Sequence, residues 1–292
     1  MNWWEAAVLG VVQGLTEFLP ISSSAHIRVV GALLPHGSDP GAAFTAIIQI
    51  GTMAAVLWYF RRDIALILGA WFRALAGRDG KDRASRFGAK SADARLGWWV
   101  ILGSIPIIVL GLLFQKSIES SLRNLWITVG VLAAFALVLE WSDRIGAKRR
   151  ELGSLTARDA TVLGLAQAAA LIPGVSRSGG TISAGLFLGL SRIAAARYSF
   201  LLSIPAVLGS GLYELFSNRA ELTEPGKPGL TNTVIAAVVS AAVGYVVIVW
   251  FLRMLTTRSF APFVVYRWIF AAAIVVLILT GAISALPAAA TP

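Results

Sequence analysis

Cysteine is absent from the 292-residue chain. No disulfide framework, cysteine-ligated zinc cluster or thiol nucleophile is therefore available to it. The absence says nothing of redox compartment, because a cysteine-free protein suits either side of a membrane. Charge is scarce as well: 14% of residues are Asp, Glu, Lys or Arg, where a soluble domain carries roughly 25%. Water could not fully solvate such a surface. That argues against a soluble enzyme, a disordered protein and a nucleic-acid-binding module. Acidic residues number 15 against 25 basic ones, a net charge of +10. A nucleic-acid partner would need those bases gathered on one folded surface. Here they fall between apolar runs, where cytoplasmic loops hold them. The start, Met1-Asn2-Trp3-Trp4-Glu5, has no basic segment and does not read as a cleaved signal peptide.

What the chain has instead is apolarity. Hydrophobic residues make up 57% and the mean hydropathy is +0.75. The expected fold class is an all-α polytopic membrane protein with a single membrane domain over 1–292. Six runs predict transmembrane helices, at 43–60, 96–114, 124–140, 196–216, 231–252 and 262–285; a crossing takes roughly 17–25 residues. Two other apolar stretches are interrupted. Residues 3–34 are broken by Leu19-Pro20-Ile21-Ser22-Ser23-Ser24, and residues 160–190 by Pro173-Gly174-Val175-Ser176-Arg177-Ser178. Proline should end the first helix at each break. Irregular backbone at membrane depth must be buried in protein or line a wet cavity. Both stretches therefore predict re-entrant helix–loop–helix hairpins.

Loop charge orients the chain. Loop 61–95 holds nine Lys/Arg against four Asp, and loop 141–159 holds five; loops 115–123 and 217–230 hold two each. By the positive-inside rule the first two are cytoplasmic. Six spans then put both termini outside, the first hairpin entering from outside and the second from the cytoplasm.

A repeat agrees with this threading. Val8-Leu9-Gly10-x-x-Gln13 matches Val162-Leu163-Gly164-x-x-Gln167, an offset of 154 residues. Ser22 and Ser24 match Ser176 and Ser178 at that offset, and Phe44 falls on Tyr198. Repeat 1 covers about 1–140 and repeat 2 about 155–292. Each is one hairpin plus three spans, and an odd number inverts the second half. Inverted repeats with broken helices place a polar site near the midplane. The bland alternative is two unrelated Ser-rich breaks.

Ionisable groups at membrane depth are costly, roughly 2.5–3.5 kcal/mol each on insertion scales. Here they are Glu17 and His26, with Gln13 nearby, in the first hairpin and Arg177 in the second. Gln13 and Glu17 share one helix face, as do Ser22 and His26. Ser176, Arg177 and Ser178 open a helix, followed by Gly179, Gly180 and Thr181. Free N–H groups, a guanidinium and three hydroxyls make an anion site, most simply for phosphate. Ser22, Ser23 and Ser24 open the mirror-image helix, so two opposed N-termini would suit two linked phosphates. Against this, serine at a helix start is usually only a cap, Arg177 could be a structural bridge to Glu17, and His26 an interhelical hydrogen-bonder. The clustering favours a site. Glu140 and Glu214 read as interfacial, Gln49 and Ser203 as cavity wall, and Trp98, Trp99 and Trp268 as belt residues.

The segment Gln13-Gly14-Leu15-Thr16-Glu17-Phe18-Leu19-Pro20-Ile21-Ser22-Ser23-Ser24-Ala25-His26 resembles the N-terminal signature of the undecaprenyl-diphosphatases, the bacterial bacitracin-resistance membrane phosphatases. Their second signature, Pro-Gly-x-Ser-Arg-Ser-x-x-Thr, is matched from Pro173 to Thr181. The resemblance runs over essentially the whole chain. Departures are small: Gln13 stands for Glu, Ser24 for Thr and Ala25 for Gly.

The resemblance implies six spans and two re-entrant hairpins. It implies hydrolysis of undecaprenyl diphosphate to the monophosphate and inorganic phosphate, recycling the carrier for cell-wall polymers. The enzyme would sit in the bacterial inner membrane with its site facing the periplasm, and would act on other prenyl diphosphates too. It implies a divalent metal ion, Mg²⁺ or Ca²⁺, held by Glu17 with Gln13 a weak ligand. Catalytic roles fall to Glu17, Ser23, His26 and Arg177, and diphosphate binding to Ser22, Ser24, Gly174, Ser176, Ser178, Gly179 and Thr181. The expected nucleophile is Ser23, with His26 or Glu17 as base; attack by water or by His26 stays open. A lipid-phosphate or anion transporter on the same repeat is the second reading, an ion channel a weaker third, and a homodimer is left open.

Overall fold

A computed structural model describes residues 1–35, 41–114, 124–217 and 228–286. Among these residues the fold is all helix. The order is α1 (Trp3–Thr16), α2 (Ser23–Leu33), α3 (Gly41–Tyr59), α4 (Arg61–Leu75), α5 (Arg83–Arg86), α6 (Ala92–Leu113) and α7 (Leu125–Ile145), then α8 (Ala157–Ala168), α9 (Arg177–Phe187), α10 (Arg192–Ser217), α11 (Gly229–Met254) and α12 (Ala261–Leu279). Helices α6, α7, α10, α11 and α12 are each long and apolar enough to cross a membrane. The protein is thus a multi-pass membrane protein.

The apolar runs at 43–60, 96–114, 124–140, 196–216, 231–252 and 262–285 fall on α3, α6, α7, α10, α11 and α12. Two expectations need correction. Residues 61–75 are not loop: they form α4, bent by 77° from α3. Its Ile67, Ala70 and Ala74 are buried while Leu66 and Phe72 stay exposed, so Arg61, Arg62 and Asp63 hide an amphipathic helix. Nor do the prolines end the short helices. α1 stops at Thr16, ahead of Pro20, and α8 at Ala168, followed by a 3₁₀ turn over Ala169–Leu171 ahead of Pro173. Proline disfavours helix in the residue before it, which lengthens each break.

Each short pair begins alike. The Asn2 amide donates to Glu5 at 2.6 Å. The Thr156 amide donates to Asp159 at 2.9 Å, within a reciprocal capping box. Each first helix also crosses a long helix at backbone contact. A Cβ on Gly10 would lie 2.6 Å from the Ala236 carbonyl, and one on Gly164 would lie 2.5 Å from that of Gly103. So α1 docks on α11 and α8 on α6.

The main core surrounds the middle of α10, where Tyr198, Phe200 and Leu202 are buried. Phe18 meets Phe200 edge-on at 5.2 Å, tying the first break to that core. One end of the bundle is laced by ion pairs. Asp63 accepts from Arg197 at 2.7 Å, Asp143 from Arg192 at 2.6 Å and Asp159 from Arg150 at 2.6 Å. Elsewhere, Asn232 donates to the Met1 carbonyl at 2.7 Å and the Leu125 amide to the Ala285 carbonyl at 2.9 Å.

Candidate active site

The two breaks meet. Glu17, the residue after α1, and Arg177, the first of α9, form an ion pair. The other Glu17 oxygen accepts from Ser23 Oγ at 2.7 Å and from Gln13 Nε2 at 2.8 Å. Gln13 is wholly buried and Glu17 nearly so. The i, i+4 spacing on α1 delivers the Gln13 contact. The Ser23 contact closes the first turn on itself, and only the Arg177 contact, 160 residues away, comes from the meeting of the two turns. Ser178 Oγ reaches across as well, donating to the Leu19 carbonyl at 3.0 Å.

Both second helices start from a strained residue. Ser22 has φ 72° and Ser176 φ 68°, in the half of backbone space that favours glycine. Each such residue costs of order 1–3 kcal/mol and persists only where its surroundings enforce it. The strain aims the hydroxyls inward: Ser22 Oγ lies 3.4 Å from Ser24 Oγ, and Ser176 Oγ 3.2 Å from Ser178 Oγ. Ser176 Oγ also accepts from the Gly179 amide at 3.2 Å, and Thr181 shares a hydrogen bond with Ser199.

These turns floor a cavity of about 530 Å³. Glu17, Ser22, Ser23, Ser24, Ser176 and Arg177 line it. Its walls come from α3, α6 and α10 and are mostly apolar, with Ile108, Leu112 and Pro205 among them. Ile108 and Leu112 are exposed as well. Gln49, Tyr213 and Glu214 add polar groups to the walls. Glu214, three residues before the end of α10, also lines the chamber. Ser203 does not line it; its hydroxyl donates to the Phe200 carbonyl at 2.7 Å inside α10. Nor do Gln13, His26, Gly174, Ser178, Gly179 and Thr181 belong to the lining.

His26 stands behind the floor. Its Nδ1 lies 2.8 Å from the Ser22 carbonyl and its Nε2 2.7 Å from Tyr266 Oη. A carbonyl only accepts, so Nδ1 carries the hydrogen and, in the neutral ring, Nε2 accepts from Tyr266. Phe270 stacks on the same ring at 3.8 Å. The Ser23 hydroxyl is bonded to Glu17, and both ring nitrogens of His26 are engaged elsewhere.

Comparison with known proteins identifies the family. The family model described as "Bacitracin resistance protein BacA" matches residues 6–273. This chain belongs to the BacA family. Among its relatives, the undecaprenyl-diphosphatase of Paenarthrobacter aurescens is 55% identical over 98% of this chain and the whole of the relative. That of Pseudarthrobacter chlorophenolicus is 56% identical over the same shares. Undecaprenyl-diphosphatase 2 of Agrobacterium fabrum is 54% identical over 98% of this chain and 99% of its own length.

Two residues of this BacA-family site are passed over by sequence reasoning: Tyr266, which holds His26, and Arg267, whose guanidinium donates to carbonyls of both breaks. Arg267 carries a readable signal, a charge in the middle of an apolar run. Tyr266 carries none until the fold places it. The expected metal ligands are already engaged with one another: both Glu17 oxygens accept hydrogen bonds and Gln13 turns its amide nitrogen to Glu17, which leaves Gln13 Oε1 buried without a partner. Among the described residues no three His, Asp or Glu side chains converge.

Proposed function

We propose that this chain hydrolyses undecaprenyl diphosphate to undecaprenyl phosphate and inorganic phosphate. The observation that carries the reading is the triad of Ser23, Glu17 and Arg177 at the floor of a chamber opened by two helix N-termini. Membership of the BacA family and the names of the relatives support a hydrolase over a transporter.

The diphosphate sits between the starts of α2 and α9, with each phosphate against one set of N–H groups and hydroxyls. Arg177 leaves Glu17 for the phosphoryl oxygens and neutralises the charge that gathers there. Ser23 Oγ attacks the terminal phosphorus and its proton passes to Glu17. The bond from that phosphorus to the bridging oxygen breaks, and the prenyl monophosphate leaves. Water then hydrolyses the phosphoserine, regenerating Ser23 and releasing phosphate. In this reading His26 is a positioning residue, holding the Ser22 carbonyl. A divalent ion, which the family resemblance implies, comes as companion to the diphosphate rather than as a resident of the protein.

We further read the architecture as six spans and two re-entrant hairpins in inverted repeats, about 1–140 and 155–292. The exchanged docking of α1 on α11 and α8 on α6 supports it, as do the paired strained serines. At the 154-residue offset Ser23 corresponds to Arg177 and Glu17 to Leu171, so the halves have divided the chemistry. The site faces the periplasm and both termini lie outside. In support, the chamber is walled by the C-terminal halves of α6 and α10 and the N-terminal half of α3. Those ends lie away from the Arg-rich segments 61–95 and 141–159. The apolar wall that runs out to Ile108 and Leu112 gives the prenyl chain a lateral path from the bilayer.

Product analysis tests the reading. Undecaprenyl diphosphate given to the purified protein should yield lipid monophosphate and phosphate in equal amounts. Free prenol, or two phosphates per lipid, would overturn it.

A further inference from the structure

Arg267 is a charge wholly buried in the last long helix. A buried cation is tolerated only when its donors are matched. Its partners among the described residues are backbone carbonyls on three separate segments. Nη1 donates to Pro20 at 3.0 Å and Val175 at 3.3 Å, Nη2 to Gly174 at 2.7 Å, and Nε to Leu132 at 3.1 Å. Pro20 belongs to the first break and Gly174 to the second. They correspond at the 154-residue offset, each two positions before its strained serine, Ser22 or Ser176. One guanidinium thus grips the same carbonyl in both breaks, while Nε anchors it to α7.

We propose that Arg267 is the positioning residue that sets the separation of the two phosphate cradles, so that the site takes a diphosphate. The inference rests on the reading that one phosphate occupies each helix start. The turns have left helical hydrogen bonding and lie where water is scarce, so their carbonyls need donors. A guanidinium supplies five in a rigid plane and can hold three segments at fixed spacing. A lysine ammonium is a single point with three donors and cannot span them. Arg267 does not line the chamber. It therefore acts through the turns, beside Tyr266, which holds His26 from the same helix.

The role makes a distinction that a merely structural arginine would not. A diphosphate must engage both cradles at once, and a monophosphate only one. In Arg267→Lys, KM for a prenyl diphosphate should rise at least about ten-fold, while inhibition by the matching prenyl monophosphate changes less than about three-fold. Equal shifts in both constants, or no shift in either, would overturn the proposal. Absence of phosphate release by the wild type would instead sink the diphosphatase reading itself. If Arg267→Lys does not fold, the wild type decides. Spin labels on cysteines placed at Leu33 and Phe187, the exposed last residues of α2 and α9, report the spacing in this cysteine-free chain. The distance should be single and unchanged by methylenediphosphonate. A distance that moves when that probe binds would show that the ligand, not Arg267, sets the spacing.

Discussion

Glu17 and Arg177 stand 160 residues apart in the chain and meet as an ion pair where the two hairpin turns touch. Neither half of the molecule holds both. The pair keeps a guanidinium poised at the chamber floor, and an incoming diphosphate competes with the carboxylate for it. Arg177→Lys keeps the charge but loses the planar fork, and kcat/KM should fall by about 10²-fold or more. Phosphate release by the purified variant, with its fold checked by thermal unfolding, gives the answer. Activity near the wild-type level would mean that a point charge suffices there.

Ser23 donates to Glu17 at 2.7 Å, so Glu17 rather than His26 is placed to take its proton. Ser23→Ala should lower kcat by at least about 10³-fold, and Glu17→Gln nearly as much. Quenching the wild type in neutral dodecyl sulfate during turnover, which preserves both phosphoserine and phosphohistidine, should trap phosphate on Ser23. A labelled His26 in that experiment would move the nucleophile.

Tyr266→Phe removes one hydrogen bond and keeps the ring stack on His26. Leaving buried Nε2 without a partner should cost about 1–3 kcal/mol of stability, with kcat within about ten-fold of the wild type. A pH–rate profile separates the roles. Loss of a titrating limb in His26→Gln, with the limb kept in Tyr266→Phe, would make His26 the base.

Much of this is legible in the sequence because the bilayer enforces it. A crossing needs a long apolar run, and α3, α6, α7, α10, α11 and α12 announce themselves that way. Both breaks are legible because Pro20 and Pro173 stand beside hydroxyls in apolar surroundings. What the pattern hides is contact. Helix α4 is masked by the charges at its start, which read as loop. The bond from His26 to Tyr266 joins residues 240 apart, and no local spacing encodes it. Arg267 hides differently, since a single charge does not spoil the mean hydropathy of its run.

Ser22→Gly tests the strain at the turn. Ser22 Oγ caps no amide of α2, so glycine gives up little and relaxes φ 72°. The variant should be about 1 kcal/mol more stable to heat in detergent. An equally large loss would show that the Ser22–Ser24 contact outweighs the strain.

The satisfied oxygens of Glu17 predict that the protein alone holds no divalent ion. Mn²⁺ titrated into the purified protein should show no stoichiometric binding by electron paramagnetic resonance until methylenediphosphonate is added. Saturable binding without the diphosphonate would reveal a resident metal site.

The central claim is that Arg177 and Glu17 form one phosphate-handling centre. Its most direct test is phosphate release from a long-chain prenyl diphosphate by the wild type, Arg177→Ala and Glu17→Ala, each confirmed folded. The account predicts release by the wild type and loss of at least about 10³-fold in both variants. Near-normal release by either folded variant would contradict it.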